Sequence, residues 1–331
     1  MSFVSRYFYA GILLAALTAS SVHAGGLYLY ELGTPDVGAA AAGWAARAQD
    51  ATTVFTNPAG MTRLEKSELL VGVQPLYLHA DFSPDADTTT SGSDGDASSW
   101  LPAGGLYYVH NLMPKLKIGV SAVGYFGLGL EYENDWVGRY YVQEIKLQAL
   151  GVQPAMAYRV TDWLSLGAGV VALYGVLEEK AAVNNIGPNQ PDGRLKIEDS
   201  DLTYQVNLGV LVEPRKGSRF GLTYLSEGDL EFKDQPNFSN LGPGLEAVLR
   251  AKGLLDADIK VEFTMPQALM FSAYHELTDR LALMGNLGWQ DWSEFGKVGV
   301  AVTSEDTSSL TIDRNYKDTW HVAVGAQYRV A

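Results

Sequence analysis

Lys146 is the charged side chain whose position bears most directly on chemistry. It stands in phase with Val142, Glu144 and Gln148, so on an extended chain the four share one face. An ammonium on the inner face of a dry lumen can hold a ligand carboxylate. Beside Glu144 it can equally form an ion pair, and both readings stand at this point. No catalytic constellation accompanies it. There is no G-x-S-x-G turn and no phosphate-binding loop. The five His are scattered and Cys is absent, which removes thiolate nucleophiles and thiolate metal sites. Asp81, Asp85, Asp87, Asp94 and Asp96 form an acidic run, but without the spacing and terminal Glu of a calcium loop; it reads as a solvated loop. The sequence argues against an enzyme and implies no metal and no cofactor.

The elements around Lys146 follow a period of two. Leu202, Tyr204, Val206, Leu208, Val210 and Val212 alternate with Thr203, Gln205, Asn207 and Gly209. Leu164 to Tyr174 and Trp320 to Val330 repeat the pattern. Successive side chains of a strand face opposite sides. One face is therefore apolar for about ten residues, with aromatics toward its ends, as on the lipid face of a transmembrane barrel. Strands are expected near 67–80, 101–110, 115–126, 140–159, 163–178, 199–213, 218–232, 259–276, 280–292 and 317–330. Short turns alternate with long polar connections near 82–99, 180–198, 233–258 and 293–316, as between periplasmic and outer ends of such barrels. A soluble β-sandwich also alternates, but it buries its apolar face and seldom uses strands this long with so many aromatics.

The N-terminus reads as an export signal over residues 1–24: Arg6, the apolar run Ala10 to Ala19, and Val22-His23-Ala24 before Gly25. The apolar run is shorter than the 20 or so residues a spanning helix needs. Residues 25 to 65 are Ala- and Gly-rich without alternation; Ala39 to Ala48 is expected to form one short helix, and Asn57-Pro58 a turn. The net charge of −14 argues against nucleic acid as a partner.

Ala51 to Met61 (ATTVFTNPAGM), after that leader, resembles the plug segment of the FadL-type outer-membrane transporters of long-chain fatty acids, a family that includes uptake channels for toluene-like hydrocarbons. Gly119 to Arg139 resembles its third strand and the following loop. Tyr224 to Glu227, Met265 to Ala268, Trp289 to Ser293 and Asn315 to Asp318 follow in the family's order. The resemblance covers most of residues 25–331.

The resemblance implies an all-β fold, a transmembrane antiparallel β-barrel (66–331) with an N-terminal plug or hatch (25–65) in its lumen. Asn57, Pro58 and Ala59 would form the plug turn. Phe126, Gly127, Leu128 and Gly129 would form an inward kink of the third strand, opening a lateral exit; glycines within a strand often mark such a bulge or bend. A fatty-acid carboxylate would be held by Lys146, Arg139 or Lys317. Leu245, Val248 and Leu249, at helical spacing in the 237–258 loop, would capture a greasy ligand outside, or else pack against the barrel rim. The expected function is passive uptake of long-chain fatty acids or other aliphatic or aromatic hydrocarbons across the outer membrane of a Gram-negative cell. The expected surroundings are outer-membrane lipid and lipopolysaccharide, with insertion by the barrel-assembly machinery. The alternative is a structural or adhesive barrel whose acidic loops carry the biology. The family resembles fourteen-stranded barrels. The ten strands counted here lead to the expectation of an incomplete barrel, with about four strands missing beyond the last one, the alternative being a smaller barrel.

Overall fold

A computed structural model describes residues 32–186, 190–303 and 307–330; the expected export signal lies outside them. One short pair comes early, β2 (Asp81–Phe82) with β3 (Gly95–Asp96). The main wall is built from β1 (Glu68–Leu78), β4 (Ser99–His110), β5 (Leu116–Glu131), β6 (Glu144–Arg159), β7 (Leu164–Val183), β8 (Gly193–Arg215), β9 (Ser218–Leu225), β13 (Ala268–Glu276), β14 (Leu281–Gln290) and β17 (Thr319–Tyr328). These ten follow one another in that spatial order, with β11 (Asn237–Ser239) attached to the upper end of β8. Every ladder in the wall is antiparallel. Among the described residues β1 and β17 each have a single neighbour, and no pairing joins them.

The wall has two chemically different faces because its strands alternate. On β6 to β8 the outward positions Leu150, Val152, Met156, Leu166, Val170, Tyr204, Val206 and Leu208 are all exposed. A contiguous apolar surface of this extent on a soluble monomer would mark an interaction site or an aggregation hazard; on a sheet of strands this long it is a surface for lipid. The inward positions mix apolar side chains such as Val171 and Leu173 with small and polar ones, and Gln153, Gln205, Asn207, Ser272 and Asn286 are all buried.

Gln153, Asn207, Ser272 and Asn286 are buried because residues 32–66 lie against them. This stretch contains a 3-10 turn (Pro35–Ala39), a one-turn helix α1 (Thr53–Thr56) and a second 3-10 turn (Pro58–Arg63). The helix expected over Ala39 to Ala48 does not form. Ala40, Ala41, Gly43 and Ala48 all take positive φ, which ends regular helix at each step. The freed amides find the wall instead: Gly43 N donates to Asn286 Oδ1 at 2.6 Å and Ala45 N to Ser272 Oγ at 3.0 Å.

Two strands expected to be continuous are broken. The 218–232 stretch divides at Ser226-Glu227 into β9 and β10 (Gly228–Asp234), and 259–276 divides at Pro266-Gln267 into β12 (Asp258–Met265) and β13. Pro266 has no amide to give the ladder. The upper halves leave the wall and join β15 (Lys297–Thr303) and β16 (Thr307–Asp313) in a four-stranded sheet, ordered β10-β12-β15-β16. The 293–316 connection is thus half sheet. Helices α2 (Pro243–Ala251) and α3 (Trp292–Phe295) complete this end. Leu230, Phe232, Phe263, Trp292, Phe295 and Val298 of this end are all buried and join one core with Phe55, Val171 and Leu173 of the inner segment and the wall. The second sheet leans on β8, whose Asp201 and Asp199 carboxylates accept from the edge amides of Glu231 (2.8 Å) and Lys233 (2.6 Å).

Candidate functional site

Asn57 pins the inner segment to the wall. Its Nδ2 donates to Ala45 O at 2.7 Å and to Val210 O at 3.0 Å, while its Oδ1 accepts from Ala59 N at 3.1 Å. Pro58 opens the following 3-10 turn at a position where its missing amide costs nothing. The turn sits on the cross-strand pair Gly167↔Gly209. A Cβ on Gly209 would fall 2.0 Å from Asn57 Oδ1, and one on Gly167 2.3 Å from Ala59 N. Only glycine lets the two backbones approach so closely. Gln153 Nε2 donates to Val54 O at 2.6 Å and Asn207 Nδ2 to Phe55 O at 2.9 Å, and Arg159 reaches Thr62 O. Gln153, Asn207 and Arg219 are site residues that sequence reasoning did not single out. For Gln153 and Asn207 the signal is a polar side chain in mid-strand; Arg219 stands at the start of β9, where a cation after a turn carries no such signal.

Inside the segment Arg47 is buried between Asp36 (2.8 Å) and Asp50 (2.6 Å). Burial raises the Asp36 carboxyl above its ordinary range, outweighing the attraction of Arg47. Burial opposes the Arg47 charge too, but the two carboxylates hold it above its usual value.

The third wall strand, β5, is interrupted close to where the sequence places its kink. The register with β6 shifts between Gly124 and Phe126, so Tyr125 is the bulged residue, one position before the expected Phe126 to Gly129. Beyond it Phe126, Gly127, Leu128 and Gly129 pair with Ala149, Gln148, Leu147 and Lys146. On the other side the ladder between β4 and β5 stops at Gly105↔Val123. Residues 99–104 of β4 remain paired with β1 alone, and 124–131 of β5 with β6 alone. The wall is split there. A cavity of about 250 Å³ occupies the split, lined by Leu76 and Leu101 and also by Leu150 and Tyr174. Leu150 and Tyr174 belong to the outward, lipid-facing set, whereas Leu76 and Leu101 are on the less exposed face of β1 and β4. The cavity therefore reaches both faces of the wall. Gly127 and Gly129 have room: a Cβ would meet Gln148 Cγ at 4.0 Å and Leu101 Cδ2 at 3.5 Å respectively.

Inside the split an aromatic series runs inward from Tyr125. Tyr125 meets Phe55 edge-on at 5.5 Å, and Phe55 meets Trp44 in the same way at 5.5 Å. A second cavity, lined by Trp44, Phe55, Tyr125, Leu225 and Met270, holds about 40 Å³, little more than one water. A larger ligand needs these side chains to move.

The lumenal placement expected for Lys146 is not what the structure shows. Lys146 is in phase with the exposed Leu150, Val152 and Met156, not with the buried Leu147, Ala149 and Gln153. Gln148 is likewise outward. The bulge, absent from a simple alternation, falls on β5 and leaves the β6 phase intact from Glu144 to Arg159. Lys146 belongs to an outer band of cross-strand ion pairs: it contacts Glu144 and Glu178, and Lys180 contacts the same two carboxylates. Arg139 lies in the loop after β5, donating to Asp192 at 2.8 Å and stacking on Tyr140 at 4.5 Å. The Asp192 bond, chiefly, holds its guanidinium above the ordinary value. Lys317 is exposed between β16 and β17. The three cations thus stand apart from the aromatic cavity. Leu245, Val248 and Leu249 fall on α2, as their spacing predicts, and no residue of that helix is buried.

With the geometry in place, the comparisons are consistent. The family described as "Outer membrane protein transport protein (OMPP1/FadL/TodX)" matches residues 15–331. Outer membrane protein P1 of Haemophilus influenzae is 26% identical, covering 95% of this chain and 76% of the relative. The long-chain fatty acid transport protein of Escherichia coli O6:H1 is 24% identical over the same shares. Among solved structures, a FadL homologue from Pseudomonas aeruginosa superposes with TM-score 0.72 at 21% identity, covering 93% of this chain and 78% of that one. The toluene transporter TodX of Pseudomonas putida gives 0.67 at 16%, covering 92% and 80%. These structures share the fold, an antiparallel wall of outer-membrane type. The chain is an outer-membrane protein and belongs to the FadL and TodX family of outer-membrane transport proteins.

Proposed function

We propose that the protein is a passive uptake channel for long-chain fatty acids or other hydrophobic compounds, which leave sideways through the split between β4 and β5. The observation that carries this reading is the cavity at the split, whose lining includes both lipid-facing and inward side chains. An apolar solute gains nothing from a straight aqueous path, and it loses about 25 cal/mol for each Å² of apolar surface left in water. A lateral path keeps that surface covered from the aromatic series at Tyr125 to the membrane. Residues 32–66 act as the plug: their hydrogen bonds to Val210, Gln153 and Asn207 hold them against the inward face of the wall. The exposed apolar side of α2 is the capture surface at the outer end. Substrates are supported as a class by the relatives, one named for long-chain fatty acids and one for toluene. A carboxylate partner is not required for a neutral hydrocarbon.

The test is uptake of labelled oleate, and separately of toluene, by cells expressing the protein or its Gly127→Val/Gly129→Val variant. The space at both positions means the variant should insert normally while the new side chains fill the split. Uptake of both solutes is expected to fall to background. Unchanged uptake with normal insertion overturns the lateral path.

A further inference from the structure

The outer rim of the wall carries a charge pattern that the uptake path does not use. Glu131, Glu144, Lys180, Lys196 and Asn237 are direct cross-strand partners in one line through β5, β6, β7, β8 and β11. Paired positions point to the same side of a sheet. Here that is the lipid side: Glu144, Lys180 and Lys196 are in phase with the exposed Leu150, Tyr174 and Leu202 lower on the same strands. The line stands at the end with the long connections, which in such barrels faces out of the cell. The last uncharged row below it is Gln148, Val176 and Ser200. From Gln148 to Glu144 the strand climbs about 10 Å, at about 3.3 Å per residue and a tilt of about 40°. The polar layer of a glycerophospholipid leaflet is only about 5–8 Å deep, so these charges reach beyond it.

A cavity of about 390 Å³ opens on this line, within the size range of small-ligand sites. Its lining includes Arg194, Lys180, Lys196, Glu131, Asn134 and Ser239. Both lysines are already shared: Lys180 contacts Glu144 and Glu178, and Lys196 contacts Glu178 and Glu198. Arg194 is different. It is exposed, stands opposite Ser239 in the β8–β11 ladder, and reaches Asn134 Oδ1 at 3.4 Å. Neither Arg194 nor the exposed Glu131 has an ion-pair partner among the described residues. A guanidinium without a carboxylate, next to ammonium groups, suits a phosphate. A carboxylate, an amide and a hydroxyl around it suit the hydroxyls of a sugar.

We infer that this cavity is a docking site for the phosphorylated sugar headgroup of an outer-leaflet glycolipid, lipopolysaccharide. Arg194 and Lys196 hold a phosphate, and Glu131, Asn134 and Ser239 hold sugar hydroxyls. The acyl chains lie down the outward face past Leu150, Tyr174 and Leu202, which anchors the wall at one depth in the leaflet. The cavity shares no lining residue with the one at the split, so it stands or falls apart from the lateral path.

The experiment is native mass spectrometry of the full chain in non-ionic detergent, titrated with bisphosphorylated lipid A. Dephosphorylated lipid A, phosphatidylglycerol and inorganic phosphate are the comparison ligands. A one-to-one lipid A adduct is expected. Arg194→Gln/Lys196→Gln is expected to weaken it about tenfold or more, as loss of charge-assisted hydrogen bonds does. Lys115→Gln/Lys252→Gln, which removes two exposed cations elsewhere, should leave it unchanged. An unchanged adduct in a folded Arg194→Gln/Lys196→Gln protein overturns the site. An equal adduct with dephosphorylated lipid A overturns the phosphate contact, and an equal one with phosphatidylglycerol overturns the sugar. Displacement by equimolar inorganic phosphate overturns the lipid. A second measurement leaves the ion pairs intact. Asn237→Cys, the single thiol in a chain without Cys, is treated with a methanethiosulfonate reagent in the same detergent. Lipid A is expected to slow its modification severalfold and dephosphorylated lipid A is not; no protection by lipid A overturns the site.

Discussion

Asn57 donates its side-chain amide to the backbone carbonyl of Val210 at 3.0 Å, across 153 positions of sequence. One amide thereby joins the inner segment to the middle of β8, and its other hydrogen goes to Ala45 O. Replacing Asn57 by Ala removes a donor from both carbonyls and the acceptor from the Ala59 amide. Unsatisfied buried groups cost about 1–3 kcal/mol each, so with partial relaxation Asn57→Ala is expected to lose about 2–4 kcal/mol. Urea unfolding in detergent, read by loss of the compact band on an unheated gel, measures it. A loss below about 0.5 kcal/mol would mean the turn is held by other contacts.

Gly209 faces the same group from the wall. A Cβ there would lie 2.0 Å from Asn57 Oδ1, whereas one on Gly127 has nothing nearer than 4.0 Å. Gly209→Ala is therefore expected to displace the turn and expose residues 32–66 to protease, and Gly127→Ala to leave the digestion pattern unchanged. Equal protection in the two variants would refute the close approach.

Arg47 pairs with two carboxylates inside the segment, at 2.8 and 2.6 Å. Breaking a buried pair from one side costs about 3–5 kcal/mol because a charge is left unmatched. Arg47→Met is expected to show that loss, and Arg47→Met/Asp36→Asn to recover a good part of it. A double mutant no more stable than Arg47→Met would place the cost in packing instead of charge.

The outward face should respond to charge by depth. Val152→Lys puts an ammonium among Leu150 and Met156, and near the bilayer midplane such a substitution costs about 2–4 kcal/mol. The folded fraction in lipid vesicles should drop accordingly, while Lys146→Gln, within the outer ion band, should change it little. If Val152→Lys inserted as well as the parent, the outward face would not be a lipid face.

In the second sheet, Lys233 chiefly, with Lys260, lowers the Glu231 carboxyl from its ordinary 4.5 to about 2. A lowered folded-state value means the stabilisation is present above the unfolded pKa and is lost as pH falls through the folded one. Backbone amide protection in β10 and β12 should be constant above pH 5 and decline between about 4.5 and 2. Glu231→Gln should flatten that decline; an unaltered decline would assign it to other carboxylates.

Much of the wall was legible in the residues. Alternation such as Leu202 to Val212 specifies a strand and which residues share a face, because the side-chain period is two and one face meets lipid. Ten strands and their order along the wall followed from that pattern and from short turns such as Arg159 to Asp162. The turn at Asn57-Pro58 was legible because Pro fixes φ and an Asn side chain accepts from the backbone two residues on. The path of Ala39 to Ala48 was not, since Gly43 and Ala45 are held by Asn286 and Ser272 from strands more than two hundred residues away. Nor was the departure of β10 and β12 into a second sheet, which depends on Leu230, Phe232 and Phe263 finding Trp292 and Phe295. Lys146 marks the boundary. Local spacing could say that it shares a face with Glu144, but only pairing with β7 shows that face to be the outer one. The split at Gly105 and Val123 lies on the same side of that boundary: a ladder ends where two strands diverge, and divergence is a property of the sheet, not of either strand.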